Sequence, residues 1–125
     1  MSEAQEQRDF VKWFRDTYPE HAHCLRVSLG GLNFGSGAKA ARMAAWVKSQ
    51  GITAGESDIV IALKRGEFGS LVIEHKAADS THKLSDEQIT YLDLHNKSGN
   101  CAVMTRGIEP LKGAVIAYIN QESRA

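Results

Sequence analysis

Two strand patterns set close together restrict the fold more than any other feature of the chain. Asp58 to Leu63 alternates around Ile59 and Ile61, and Ser70 to Lys76 carries Leu71-Val72-Ile73. Only the short, glycine-punctuated segment Lys64 to Gly69 separates them, and two runs joined in that way predict an antiparallel hairpin. The flanking patterns decide what the hairpin is built into. Upstream, Phe10, Val11, Phe14 and Tyr18 form one helical stripe over Glu3 to Tyr18, ended by Pro19. Cys24 to Leu29 has strand character and runs into the loop glycines Gly30, Gly31, Gly35 and Gly37. Alanine-rich Ala38 to Gln50, with Met43, Trp46 and Val47, is a second helix stopped by Gly51. Downstream, Ser85-Asp86-Glu87-Gln88 has the form of a capping box and opens a helix that runs to about Lys97. Cys101 to Thr105 is a short buried strand, and Ile108 to Asn120 a last helix around Leu111, Val115, Ile116 and Ile119. The order α-β-α-β-β-α-β-α is buried most simply as an α/β fold, a mixed sheet covered by helices on both faces.

A length of 125 residues predicts one domain over 1–125. Fifteen basic residues offset fifteen acidic ones, which excludes the uniform positive field of a protein that coats nucleic acid and leaves only local basic patches. No apolar run approaches the ~20 residues of a membrane helix. The polar start Met1-Ser2-Glu3-Ala4-Gln5-Glu6 lacks the charged-then-apolar plan of a secretory signal, so a cytoplasmic protein without a membrane partner is expected. The two cysteines, Cys24 and Cys101, suggest neither a disulfide framework nor a zinc knuckle. His21, His23 and Cys24 are close in sequence, but no second pair at ligand spacing follows. Trp13 and Trp46 are expected in core or interface positions.

The chemistry starts at Glu74-His75-Lys76. Side chains two apart in a strand share a face, so Glu74 and Lys76 project together while Ile73 and His75 point the other way. A hairpin loop centred on Gly66 sets Asp58 opposite Glu74, and one centred on Glu67 sets it opposite Lys76; both put Asp58 on their face. Two carboxylates beside a lysine suit a hard, oxygen-seeking cation such as Mg²⁺ and a group that orients or deprotonates water. An E-x-K pair on a half-exposed strand is also commonly a solvated ion pair. The cation is favoured because both carboxylates fall where a strand meets buried structure, and an unpaired charge there is costly. On the first helix, Glu3 and Gln7 lie near the middle of the apolar stripe and Glu6 towards its edge, so Glu3 is expected to point inward. The alternative is a first turn frayed into water, its acids favoured by the helix dipole.

Glu3-x-x-x-Gln7, the Gly30-Gly31 loop, Gly51-x-x-x-Gly55-x-x-Asp58, the strand Leu71-Val72-Ile73-Glu74-His75-Lys76, Leu84-Ser85-x-x-Gln88 and the closing Tyr118 together resemble a stand-alone VRR-NUC domain of the PD-(D/E)xK nuclease superfamily. The likeness runs over nearly the whole chain. It implies a restriction-endonuclease-like core and phosphodiester hydrolysis dependent on Mg²⁺, with Mn²⁺ as a substitute. It makes Asp58 and Glu74 metal ligands, Glu3 an accessory acidic ligand and the peptide carbonyl of His75 a further one. Lys76 becomes the water-positioning residue and Gln88 an auxiliary polar group, a residue the capping box also explains. Two departures stand out: Gly55-Glu56-Ser57-Asp58 lacks the usual proline before the aspartate, and Ser28-Leu29-Gly30-Gly31 lacks the usual asparagine.

Because such a site is acidic, DNA must be held by charges elsewhere. Lys39 and Arg42, three apart on the second helix, and Lys64, Arg65 and Lys83, in loops expected to flank the site, are the candidates; a solvated helix face and ordinary turn residues are the alternative. Stand-alone members of this family resemble homodimeric resolvases of viruses and bacteria. The expectation is therefore a structure-selective DNA endonuclease of a bacterial or phage-infected cell, most simply a C₂ homodimer cutting Holliday junctions. A flap or linear-end nuclease, or a non-catalytic DNA-binding module, are the alternatives.

Overall fold

The structure, a computed structural model, describes residues 2–28, 35–51 and 58–121. Leu29, the Gly30-Gly31 loop and Gly55-Glu56-Ser57 lie outside the described residues. Chain order is α1 (Glu3–Thr17), a 3₁₀ helix (Pro19–Cys24), β1 (Leu25–Val27), α2 (Ala38–Ser49), β2 (Ile59–Ile61), β3 (Leu71–Lys76), α3 (Asp86–Lys97), β4 (Cys101–Arg106) and α4 (Ile108–Ile119). The α-β-α-β-β-α-β-α order holds. Its one addition is the 3₁₀ helix, which Pro19 opens after ending α1, because a proline needs no N–H in a first turn.

The sheet order is β1-β2-β3-β4, antiparallel except for the parallel β3–β4 pair. A parallel neighbour requires a crossover, and α3 supplies it. On one face, Leu25, Ile59, Ile61, Leu71 and Ile73 meet Phe10 and Phe14 of α1 and Leu111, Val115, Tyr118 and Ile119 of α4. On the other, Val72 and Ala102 pack with Leu92 of α3. The unbroken apolar run of β3 thus belongs to a strand covered on both sides, and the sheet is mixed and flanked by helices as expected. Among the described residues no helix is long and apolar enough to cross a membrane.

Two capping boxes fix where helices begin. Ser2 Oγ accepts from Gln5 N at 3.1 Å while Gln5 Oε1 accepts from Ser2 N at 3.2 Å, which starts α1 at Glu3. Ser85 and Gln88 do the same for α3. The hairpin register pairs Ile59 with Ile73 and Ile61 with Leu71, whereas at the loop Arg65 pairs with Phe68. From Ile61 to Arg65 is thus one residue more than from Phe68 to Leu71, a bulge on the β2 side. Gly66 then turns the chain at φ +55, a left-handed conformation that favours glycine. This closed end is clamped to α4: Tyr118 Oη donates to Leu63 O at 2.6 Å and Arg65 Nε to Ile119 O at 3.0 Å.

Candidate active site

The Ile59–Ile73 register, continued by one step, sets Asp58 beside Glu74, as a loop centred on Gly66 requires. Asp58 stands just before β2, where its carbonyl accepts from Ser28 N at 2.8 Å and its Oδ2 from His75 N at 2.9 Å. The Glu74 side chain leaves the opposite face of β3 from Ile73 and His75, towards α3. There Gln88 Nε2 donates to Glu74 Oε1 at 2.7 Å, and Lys76 Nζ lies 3.6 Å from the same oxygen. One amide therefore serves two purposes: Gln88 Oε1 closes the capping box while its Nε2 holds the carboxylate.

Glu74 is only 2% exposed, and its second oxygen, Oε2, is buried without a hydrogen-bond partner among the described residues. Burial first, then the charge of Asp58, push the Glu74 carboxyl up to about 8. Burial also raises Asp58, against the His75 N–H that favours its ionised form. The two carboxyls are within hydrogen-bonding reach of each other. Ionised, both can only accept, so their contact becomes a bond only when one of them is protonated. Glu3 is raised as well, by burial and next by the charge of Asp58, with Lys76 opposing. Three carboxyl groups thus crowd round one ammonium, and each is shifted towards its protonated form.

This donor set fits a divalent cation. A buried oxygen without a donor beside a second carboxylate is the arrangement a hard cation resolves, and Mg²⁺ is commonly held by one or two carboxylates plus waters and substrate phosphate. Among the described residues no group of three or more His, Cys, Asp or Glu side chains converges to enclose a metal ion. His75 N–H faces Asp58, and a strand residue directs its N–H and C=O to the same side, so the His75 carbonyl faces that side too.

On α1 the structure corrects the expected geometry. Glu6, placed at the edge of the stripe, is the buried acid at 2% exposure; Glu3, expected to point inward, is half-exposed. Two donors account for the difference. Glu6 Oε1 lies 2.8 Å from His75 Nε2 and Oε2 accepts from Ala78 N at 3.1 Å. An apolar stripe carries no record of such partners. Thr105, which meets His75 Nδ1 at 2.9 Å, is likewise silent in the sequence. The one signal was a histidine on the core-facing side of β3, since a buried imidazole needs partners.

The basic candidates separate into two groups. Lys39 and Arg42 are exposed on α2, and Lys83 is exposed two residues before the α3 cap Ser85, on the side that carries Gln88. Lys64 and Arg65 do not flank the carboxylates. Arg65 pairs with Phe68, and Phe68 is six residues before Glu74 at the closed end of the hairpin, up to about 20 Å away at ~3.3 Å per extended residue. Arg65 is moreover committed to the fold, donating to Ile119 O and Lys64 O and pairing with His21 Nε2 at 3.4 Å. A turn arginine read from sequence looks solvated until the α4 carbonyl it reaches is known.

No family model matches this chain, and neither does any curated protein. Among solved structures, a protein described as "VRR_NUC domain protein" is similar with a TM-score of 0.76, over 98% of this chain and 92% of that one, at 22% identity. At that identity the likeness speaks for architecture: the chain has the fold of a VRR-NUC domain protein.

Proposed function

We propose that the chain is a metal-dependent DNA endonuclease that hydrolyses phosphodiester bonds at the site of Asp58, Glu74 and Lys76, with Mg²⁺ as cofactor and Mn²⁺ as its substitute. The observation that carries this reading is Glu74 Oε2, buried without a hydrogen-bond partner among the described residues while its sister oxygen is held by Gln88 and Lys76 and Asp58 stands alongside the carboxyl. Asp58 and Glu74 would hold the cation, with Glu3 and the His75 carbonyl as further oxygen donors. When bound, the cation polarises the scissile phosphate and makes water a stronger nucleophile at neutral pH. The residues of the chain do the rest. Gln88 keeps Oε1 engaged and so fixes the carboxylate plane. The His75 N–H holds Asp58 Oδ2, leaving Oδ1 for other work. Lys76, 12% exposed along its side chain, orients the attacking water and offsets the negative charge that grows on the phosphoryl oxygens.

One chain carries one such site, so symmetric cutting of two strands needs two chains related by a two-fold axis. On this reading the enzyme is a homodimer and a four-way junction is its leading substrate, held by Lys39, Arg42 and Lys83. The test is cleavage of labelled four-way junction, flap and linear duplex DNA with Mg²⁺, comparing the chain with Lys76→Ala. Paired symmetric nicks in the junction, lost in the variant, are the expected result. Equal cutting of all three substrates leaves a general nuclease. No cutting with Mg²⁺ or Mn²⁺, together with DNA binding indifferent to EDTA, overturns the catalytic reading and leaves a binding module.

A further inference from the structure

The hydrolytic reading uses only the peptide group of His75, yet its imidazole is the most completely enclosed polar side chain among the described residues, at 0% exposure. Both ring nitrogens are engaged, Nε2 with Glu6 Oε1 at 2.8 Å and Nδ1 with Thr105 Oγ1 at 2.9 Å. Glu6 Oε2 takes the Ala78 N–H at 3.1 Å. An acid, an imidazole and a hydroxyl in sequence have the composition of a nucleophilic triad. Their burial excludes that use, because Glu6 is 2% and Thr105 6% exposed and no substrate reaches the hydroxyl. The bonds instead join elements: Glu6 belongs to α1, His75 to β3, Thr105 to β4, and Ala78 to the chain just beyond β3.

The candidate metal ligands hang from the same pieces. Glu3 stands one turn before Glu6 on α1, Glu74 precedes His75, and Asp58 is held by the His75 N–H. We infer that Glu6 and Thr105, acting through His75, are positioning residues that set the separation of Glu3, Asp58 and Glu74 and thereby the affinity of the site for its divalent cation. The inference rests on the metal-dependent reading. Satisfied buried polar networks hold their members rigidly, and groups that support metal ligands from behind typically contribute about 10- to 100-fold in affinity or activity. A histidine that merely fills the core would change stability and nothing else.

Thr105→Val removes the hydroxyl at nearly constant volume, and Thr105→Ser restores it. Binding of Mn²⁺ to the full chain is measured by calorimetry, kcat and KM on junction DNA in Mg²⁺, and hydrogen exchange of the His75 amide without metal. Thr105→Val is expected to weaken Mn²⁺ binding about tenfold or more and to lower kcat with KM for DNA unchanged. It should also speed exchange at the His75 amide while that of Ile73 stays as it was; Thr105→Ser should return all three. Wild-type metal affinity, kcat and His75 exchange in Thr105→Val, with only a lowered Tm, overturns the inference. If the unmodified chain binds no Mn²⁺ and cuts nothing, the endonuclease reading fails, and the His75 exchange alone decides whether the network positions Asp58. Should Thr105→Val not fold, Glu6→Gln, which keeps the length but cannot accept through both terminal atoms, is expected to give the same pattern.

Discussion

Glu74 stands in an environment that opposes its charge, and the sign of the consequence is definite. Its carboxyl titrates at about 8 in the fold because of burial and the neighbouring Asp58, against an ordinary value of 4.5. Between those values the folded chain keeps a proton that the unfolded chain has lost, so stability from this group is full below about 4.5 and is lost as pH rises through about 8. Asp58 and Glu3 are displaced in the same direction. In EDTA the Tm is therefore expected to fall from pH 6 to pH 9, and Mg²⁺ should raise it more at pH 8.5 than at pH 6. Glu74→Gln should flatten both trends in thermal melts; an unchanged slope would place the titration elsewhere. At this scale the sequence disclosed the residues that share a face, Asp58, Glu74 and Lys76, because the period of a strand is two. It did not disclose which acid of α1 is drawn inward, since that depends on His75 and Ala78, about seventy positions away along the chain.

At the level of elements, α3 shows how a helix start becomes part of a site. Ser85 and Gln88 cap the helix, and the same Gln88 amide reaches Glu74. The two duties come apart by substitution. Ser85→Ala is expected to cost about 1 kcal/mol of stability and to leave cleavage nearly intact, whereas Gln88→Ala should lose stability and cleavage together; chemical denaturation and a nicking assay read the two. The apolar packing that carries the site is equally testable, with Phe14→Ala expected to cost about 3–5 kcal/mol because its ring is fully enclosed between α1 and the sheet. The order of elements was readable because each had its own period or stop signal. The register of the hairpin was not, since loops centred on Gly66 and Glu67 serve the pattern equally; pairing across β2 and β3 selects the first, and the bulge before Arg65 absorbs the remaining residue. The 3₁₀ helix left no signal beyond Pro19, its six residues being too few for a stripe.

Across the whole molecule the charges balance, so a uniform positive field is excluded and any basic patch has to come from placement. On the proposed reading, replacing Lys39, Arg42 and Lys83 with alanine is expected to weaken binding and to reduce the slope of log K against log salt by about one for each phosphate that is no longer neutralised, as anisotropy titrations would show. Lys64→Ala, at the far end of the hairpin, should leave the slope unchanged. That separation has a practical side. The turn at Gly66 and Glu67 is riveted to α4 by Tyr118 and Arg65, and the carboxylates lie at the other end of the hairpin, up to about 20 Å away at ~3.3 Å per extended residue. A fluorophore or a surface tether attached through the exposed Lys64 would leave the chemistry in open solution, giving single-molecule work on this protein a natural handle.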